Sequence, residues 1–221
     1  MTLLTSPLAD VLRSRPGTRQ ELNQMSVLTQ VPDPKPAETL GLADLSYLTR
    51  FGVKGPQSAS WLSAQSIPIP EQPNTWAALP EGGLIARLGR SEFLIEDGPD
   101  SQTVPRLAAA CNSPPAQVYP VLRQDAAIAL CGQATQNLLR QTCSFNFQSL
   151  NLTEHPVILT TMVGVTVTVI PQPKSHHPIY RIWCDNTFAP YLWQTLAEIT
   201  TELGGTIIGT QDFIPYTGQM P

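Results

Sequence analysis

The sequence of 221 residues predicts an α+β fold built from two similar halves. A short apolar run that meets a glycine occurs twice, and each time a run with helical spacing and a leucine follows it: Gly55 with Leu62, and Gly132 with Leu139. Hairpin-like alternating segments follow both copies, which start 77 residues apart (55 to 132). We therefore expect two pseudo-repeated lobes, each an antiparallel sheet backed by helices.

The first copy predicts a strand, a helix and a hairpin in that order. The segment RFGVKG (50–55) alternates in hydrophobicity and is typical of a strand that ends at its glycine. Pro56 suits the first turn of a helix, because its missing N–H group would have no partner there. This helix would direct Trp61 and Leu62 towards the core. After a proline-rich excursion, residues 84–97 predict a β-hairpin.

The second copy repeats this order. AAIALC (126–131) predicts a buried strand, and residues 133–142 predict a helix. Residues 157–171 and 179–185 predict the two arms of a long hairpin. The apolar residues of 187–203 recur at intervals of 4, 3 and 4, which predicts an amphipathic helix that the following glycine pair ends.

Residues 1–40 predict a proline-rich N-terminal arm. Within it, 6–15 is compatible with one short helix, whereas the stretch at 29–41 contains three prolines, which remove backbone donors and disfavour helix. The arm lies either along its own domain or along a partner. The linker between the copies contains a further helical segment at 103–112. We place the lobes at 41–125 and 126–221, the latter with the C-terminal helix and tail.

The composition excludes two classes of binding protein. Lys and Arg total 13 against 17 Asp and Glu, for a net charge of −4, and no basic cluster occurs, so nucleic-acid binding is disfavoured. No apolar stretch reaches the ~20 residues of a membrane span, and the N-terminus lacks signal-peptide features. We expect a cytoplasmic protein. Only 14% of residues are charged, which fits either a neutral polar surface or one covered by another protein.

The sequence offers no self-contained active site. The glycine spacing matches neither the phosphate-binding nor the dinucleotide-binding loop, so both glycines are interpreted as turns into helices. His155, His176 and His177 occur in no catalytic or metal-binding pattern.

The acidic and sulfur-containing candidates are equally uninformative. Glu71 and the pair Glu96–Asp97 are interpreted as exposed loop positions, and Asp44 as the cap of a turn. The cysteines are interpreted as reduced, buried apolar residues, because their spacing fits no metal site: Cys111, Cys131, Cys143 and Cys184. We therefore predict no catalytic, cofactor-binding or metal-binding residue in this chain.

Four segments in a constant order carry a family resemblance. DLSYLTRFGVKGPQSASWL, IARLGRSEFLIE, IALCGQATQNLLRQTC and YRIWCDNTFAPYLWQTL together resemble the gamma subunit of heterotetrameric sarcosine oxidase. The likeness spans about residues 42–205, and SPLAD (6–10) is similar to the start of that subunit. This family shares its fold with the glycine-cleavage T-protein and related folate-binding proteins.

The resemblance implies a cradle-shaped pair of lobes and a non-catalytic role. It implies alpha- and beta-type partner subunits that carry FAD, FMN, NAD and tetrahydrofolate and that oxidatively demethylate sarcosine, with no cofactor in this chain. A free-standing descendant of such a subunit is a variant of this hypothesis.

Two departures bear on the alternatives, which are a folate-binding protein or a folate-dependent aminomethyltransferase. Where the folate enzymes carry an acidic pair, this chain has Glu81 followed by Gly82 and Gly83. The cysteine motif of the iron–sulfur-maintenance branch, K-G-C-Y-x-G-Q-[ED], has no counterpart in residues 150–164. Both departures disfavour the catalytic branches of the fold.

Overall fold

The computed structural model describes residues 4–174 and 177–217. The helices are α1 (Ala9–Leu12), α2 (Ala37–Leu40), α3 (Ser58–Ala64), α4 (Thr103–Ala110), α5 (Thr135–Thr142), α6 (Ala189–Glu202) and α7 (Thr210–Thr217). The strands are β1 (Thr18–Leu22), β2 (Met25–Gln30), β3 (Gly41–Asp44), β4 (Arg50–Lys54), β5 (Thr75–Ala78), β6 (Leu84–Arg87), β7 (Glu92–Glu96), β8 (Tyr119–Val121), β9 (Ala126–Cys131), β10 (Ile158–Met162), β11 (Val165–Gln172), β12 (Ile179–Cys184) and β13 (Thr206–Ile208).

The chain forms two compact units. Unit 1 contains the described parts of 1–47, 125–153 and 158–218, and unit 2 contains 48–124 and 154–157. Each unit is a sheet with helices packed on one face, so the predicted α+β class is confirmed.

Unit 2 is built on a five-stranded antiparallel sheet with the order β5-β6-β7-β4-β8. Phe51, Val53, Phe93 and Ile95 alternate along β4 and β7 and face one side, as period-2 strands require. Helices α3 and α4 cover this side and contribute buried leucines and valine to the core: Leu62, Val104 and Leu107.

Unit 1 is built on a six-stranded sheet with the order β10-β11-β12-β9-β3-β13. The pairs are antiparallel except β13 with β3, which is parallel and departs from the purely antiparallel sheet predicted. Helices α5 and α6 cover one face, with Leu138, Leu192 and Leu196 fully buried against it. Gly204, at φ 78°, follows the end of α6, as predicted.

The repeat is longer than the sequence predicts. Each copy reads strand–helix–strand–strand–strand: β4-α3-β5-β6-β7 and β9-α5-β10-β11-β12. The prediction missed β5, because the prolines before it resemble a loop, although Trp76 within it is 4% exposed. It also merged β10 with β11, which a two-residue turn separates at Val163 (φ 44°) and Gly164 (φ 86°).

The copies exchange their neighbouring strands. Strand β3 precedes β4 in the chain yet pairs with β9 of the second copy, whereas β8 precedes β9 yet pairs with β4 of the first. The lobe boundaries predicted at residues 40 and 125 assign β3 to the first lobe. The observed pairing assigns β3 to unit 1, because its ladder lies between β9 and β13.

The N-terminal segment is part of unit 1. The short helix expected at 6–15 is α1, and a hairpin that the sequence did not predict, β1 with β2, follows it. The Asp212 carboxylate of α7 accepts bonds from the amides of Val31 (2.8 Å) and Gly209 (3.0 Å). This carboxylate therefore joins the end of the hairpin to the C-terminal helix.

Candidate functional site

The strand-to-helix junction at Gly132 is the first candidate, because helix N-termini attract anions. The Ala134 amide donates to the Thr39 carbonyl at 2.7 Å, and the amide before it donates to the Glu38 carbonyl at 3.1 Å. The Thr135 hydroxyl donates to the Gly132 carbonyl at 2.8 Å. The amides that could hold a phosphate are thus bonded to the chain itself.

The junction at Gly55 has the same construction. The Gln57 amide donates to the Gln117 carbonyl at 3.3 Å, and the Ser58 hydroxyl donates to the carbonyls of Gly55 and Ser91. A Cβ atom on Gly55 would lie 2.2 Å from the Gln117 oxygen, so only glycine permits this approach. Both glycines are turns into helices, as predicted, and neither junction offers an anion site.

The two described histidines, His155 and His177, lie in separate exposed segments. His155 is exposed, has φ 50°, and stacks on Trp76 with 4.7 Å between ring centroids. Its carbonyl accepts the Trp76 amide at 2.9 Å, so the segment caps the outer edge of β5. His177 is exposed in a bend, and His176 lies outside the described residues.

Glu96 and Asp97 are not the exposed loop residues that the sequence analysis predicted. Glu96 closes strand β7 and is 0% exposed, and Asp97 is 1% exposed. The Glu96 carboxylate lies 2.7 Å from Arg50 Nε in an ion pair across β4 and β7. The segments RFGVK and EFLIE both alternate in hydrophobicity, and this alternation places Arg50 and Glu96 on the same face of the sheet. The ion pair could have been predicted from this pattern.

The Asp97 carboxylate caps helix α4. It accepts from the Val104 amide at 3.0 Å, from the Ser101 hydroxyl at 2.9 Å and from the Thr49 hydroxyl at 3.1 Å. Three donors occupy its oxygens, as expected of a buried carboxylate. Asp97 therefore holds α4 in place rather than facing a substrate.

Glu81, at the position of the folate enzymes' acidic pair, lies in a tight turn before β6. Its backbone has φ 58°, and its side chain is exposed. The Glu81 carbonyl packs against Gly98 so closely that a Cβ atom there would lie 1.6 Å from it. The structure thus places this carboxylate on the surface, whereas Asp44 and Glu71 lie as predicted: Asp44 accepts the Ser46 amide at 2.8 Å, and Glu71 is exposed.

The four cysteines are free and buried, as predicted. Burial raises the pKa of Cys131 to about 12, and burial followed by the charges of Asp125 and Asp185 raises the pKa of Cys184 to about 12. Burial also raises the pKa of Cys111. Because the thiolate is the nucleophilic form, these three thiols are poorly suited to catalysis at neutral pH.

The sheet face of unit 2 opposite its helices carries charge. Beside the Arg50–Glu96 pair, Arg123 lies over Gly52 and forms an ion pair with Glu92 at 2.5 Å. These carboxylates neutralise arginines and are not available as a general acid and base.

The corresponding face of unit 1 carries Arg181 and Trp183, both buried. Burial, followed by the nearby Arg181 charge, lowers the pKa of Lys174. A shallow groove of about 570 Å³ lies between α1 and α6 in unit 1. Its polar lining is of mixed sign, with Asp10, Arg15 and Glu198, and it matches no single ligand class.

The described part of the chain shows neither a cluster of potential metal ligands nor a helix that could span a membrane. Across 4–174 and 177–217, no three His, Cys, Asp or Glu side chains gather where an ion could bind. None of the helices in these ranges is long and apolar enough to cross a membrane.

Two curated proteins are similar in sequence to this chain. The sarcosine oxidase subunit gamma of Corynebacterium sp. (strain P-1) is 27% identical over 135 residues, covering 59% of this chain and 66% of that subunit. The subunit of the same name from Arthrobacter sp. is 27% identical over 130 residues, covering 57% and 64%. The matches span just under two thirds of these relatives. No protein-family model matches the chain.

Two solved structures share the fold. Glycine cleavage system aminomethyltransferase T from Bartonella henselae aligns with a TM-score of 0.74 and 13% identity over 96% of this chain and 61% of that one. A chain of heterotetrameric sarcosine oxidase from Corynebacterium sp. U-96, in complex with pyrrole 2-carboxylate, aligns with a TM-score of 0.64 and 19% identity over 91% and 96%. These comparisons confirm the predicted resemblance and the T-protein-like fold. The cradle arrangement of the lobes stays a prediction.

Proposed function

We propose that this chain is a non-catalytic, gamma-type subunit of a sarcosine-oxidase-like complex in the cytoplasm, whose alpha- and beta-type partners carry out the oxidative demethylation of sarcosine. The observation that carries the proposal is the similarity to two gamma subunits, together with a fold match that spans 96% of a chain in a heterotetrameric sarcosine oxidase. A low share of charged residues, 14%, suits a surface that is covered in a complex.

The side chains support a role without chemistry. Glu96, Glu92 and Asp97, the buried or partly buried carboxylates of unit 2, hold arginines or a helix end. Raised pKa values keep the Cys131 and Cys184 thiols protonated. A general acid, base or nucleophile needs a free proton-transfer position beside a substrate, and these groups do not provide it.

We assign FAD, FMN, NAD and tetrahydrofolate to the partner subunits. The phosphate groups of the first three need unbonded amides at a glycine-rich helix start, and the amides at both junctions donate to the Thr39 and Gln117 carbonyls. For a folate, the only acidic side chain at the family's position is that of Glu81, on an exposed turn. The chain's own residues therefore do not fit these groups.

Co-expression tests the subunit role. The tagged chain is produced with candidate alpha- and beta-type chains, and the purified material is assayed for sarcosine-dependent hydrogen peroxide. We expect a stoichiometric complex with oxidase activity and an inactive chain on its own. A chain that remains alone beside both candidates would contradict the proposal.

A folate titration separates the alternatives. Reduced folate is added to the isolated chain while the fluorescence of its four tryptophans is followed: Trp61, Trp76, Trp183 and Trp193. We expect no saturable quenching up to high micromolar ligand. A folate-binding protein without a flavin is the positive control and should show saturable quenching under the same conditions. Saturable quenching would replace the proposed role by folate binding.

A further inference from the structure

The two sheets differ at one edge. In unit 1, β13 lies parallel to β3 and forms the outermost strand, with Ile207 opposite Leu42. In unit 2, β8 occupies the place of β3, and no strand of the described residues lies beyond it. One sheet therefore has six strands and the other has five.

Strands β3 and β8 are equivalent in register. Ala43 pairs with Ala129 and Val121 pairs with Gly52, and the two partners, 52 and 129, are the same 77 residues apart as the junction glycines. Just before each strand, a carbonyl accepts an amide at the start of the neighbouring helix: Thr39 for α5 and Gln117 for α3. The outer edge of β8 thus corresponds to the edge of β3 that β13 covers.

The β8 side of this edge exposes large apolar side chains, and Lys54 of β4 lies opposite Tyr119. Leu122 is 81% exposed and Tyr119 is 53% exposed. No charged residue occurs from Leu107 through Leu122. By strand alternation, Tyr119 and Leu122 lie on opposite faces of the sheet, so an added strand would contact one of them on each face.

The backbone of this edge is poor in donors. Pro120 lies opposite Val53 of β4 and has no N–H group, so it cannot donate a ladder bond to an added strand. The outer edge of β5, by contrast, already bonds to His155 and Val157.

We infer that the β8 edge, defined as Tyr119, Pro120 and Leu122, binds a short, extended, uncharged segment of a partner subunit, parallel to β8, in the place that β13 takes beside β3. The occupant has the chemistry of Thr206–Ile208, which is β-branched and without charge, because it would pack on the exposed side chains of Tyr119 and Leu122. The inference rests on the proposed subunit role and adds the contact through which the subunit docks.

Matched lysine substitutions test the edge in the co-expressed complex. Leu122→Lys places a charge at the β8 edge, whereas Leu159→Lys places one at another exposed edge leucine, on β10. We expect the yield of complex to fall at least tenfold for Leu122→Lys and to stay within twofold for Leu159→Lys. Both isolated variants should keep the wild-type melting temperature within about 2 °C, because exposed substitutions change stability little.

Hydrogen exchange on the unmodified protein gives an independent measurement. We expect the amides of Tyr119 and of residues 121–124 to exchange at least tenfold more slowly in the complex than in the isolated chain. A complex that tolerates Leu122→Lys, or that leaves these amides unprotected, would overturn the docking edge and leave the proposed function standing. Failure of the wild-type chain to assemble would overturn both, and a wild-type homodimer that Leu122→Lys dissociates would assign the edge to a second copy instead.

Discussion

Gly132 fixes the geometry of the second strand-to-helix junction. Its φ of 101° is a conformation that L-residues rarely adopt, and a Cβ atom there would lie 2.6 Å from the Ala37 carbonyl oxygen and 2.7 Å from that of Thr39. The Thr39 carbonyl accepts the Ala134 amide just before α5, and the Glu38 carbonyl, which follows Ala37, accepts the Gln133 amide. The backbone conformation and the hydrogen bonds at this junction therefore require a residue without a side chain, which is glycine.

Gly132→Ala should destabilise the protein strongly. Strain at positive φ and the close carbonyls together should lower the free energy of unfolding by about 2–4 kcal/mol, measured by urea denaturation. Gly89→Ala is the matched control, since nothing lies within 4 Å of its added Cβ atom, and should change the value by less than about 0.5 kcal/mol. Equal effects at both positions would contradict this account of the junction.

The buried thiols should make the protein sensitive to alkali. Cys131 and Cys184 have pKa values raised from 9.0 to about 12 in the folded state. Between these limits the unfolded chain has lost protons that the folded chain retains, so the free energy of unfolding falls as the pH rises.

The measurement compares the free energy of unfolding at pH 8 and pH 10.5 under reducing conditions. The double variant Cys131→Ala, Cys184→Ala should lose less stability over this interval than the wild type does. Some decline should persist, because burial also raises the pKa of Tyr180 to about 12. An unchanged slope in the double variant would show that other groups control the alkaline response.

At the scale of elements, helix α4 depends on a residue outside it. Asp97 lies six residues before α4 begins at Thr103, yet its buried carboxylate accepts the Val104 amide and two hydroxyl groups. A local N-cap signal would have been visible in the sequence. This cap was missed because it depends on the chain turning back after β7.

Asp97→Ala should weaken α4 more than an exposed cap would. Loss of the acceptor leaves the Val104 amide and the Ser101 hydroxyl without their buried partner, which should lower the free energy of unfolding by about 2–3 kcal/mol. Asp185→Ala is the control, because Asp185 is exposed and accepts from the Thr187 amide and hydroxyl; about 0.5–1 kcal/mol is expected there. Urea denaturation of both variants provides the comparison, and similar losses would show that burial of the cap has no influence.

Elements with a strong hydrophobic periodicity were predicted well, whereas elements bounded by prolines were not. The strands β4 and β9 and the helices α5 and α6 follow the predicted segments, since alternation and helical spacing reflect one buried face. Strand β5 was missed, since its burial depends on pairing with β6 rather than on any local pattern. The same reason explains why Glu96 was predicted to be exposed, as its partner Arg50 is 46 residues away.

At the scale of the whole molecule, the duplication is linked by exchanged strands. Strand β3 of the first copy lies between β9 and β13, and β8, the strand that precedes the second copy, lies beside β4. The sheet of unit 2 is formed by residues 50–121, whereas the sheet of unit 1 needs β3, which precedes this stretch, beside β9 and β13, which follow it. Unit 1 therefore cannot complete its sheet without the N-terminal segment, although each unit contains its own helix-covered core.

A cut between the exposed residues Asn112 and Ser113 tests this dependence. Fragments 1–112 and 113–221 should each lack native circular dichroism alone and should form a 1:1 folded species when co-expressed, because each supplies a strand to the other's sheet. Fragment 48–112, which lacks β3, should not rescue 113–221. Independent folding of either long fragment would contradict the exchange as a requirement for stability.

The sequence by itself determined the α+β class, the duplication and the absence of recognisable catalytic motifs, since these follow from period, spacing and residue type. Only the tertiary structure decided that β3 joins the sheet of unit 1, that Glu96 and Asp97 are buried, and that, among the described residues, no strand covers the edge of β8 as β13 covers β3. Such features depend on pairings between residues tens of positions apart, and local hydrophobic patterns do not specify which of several compatible strands become neighbours.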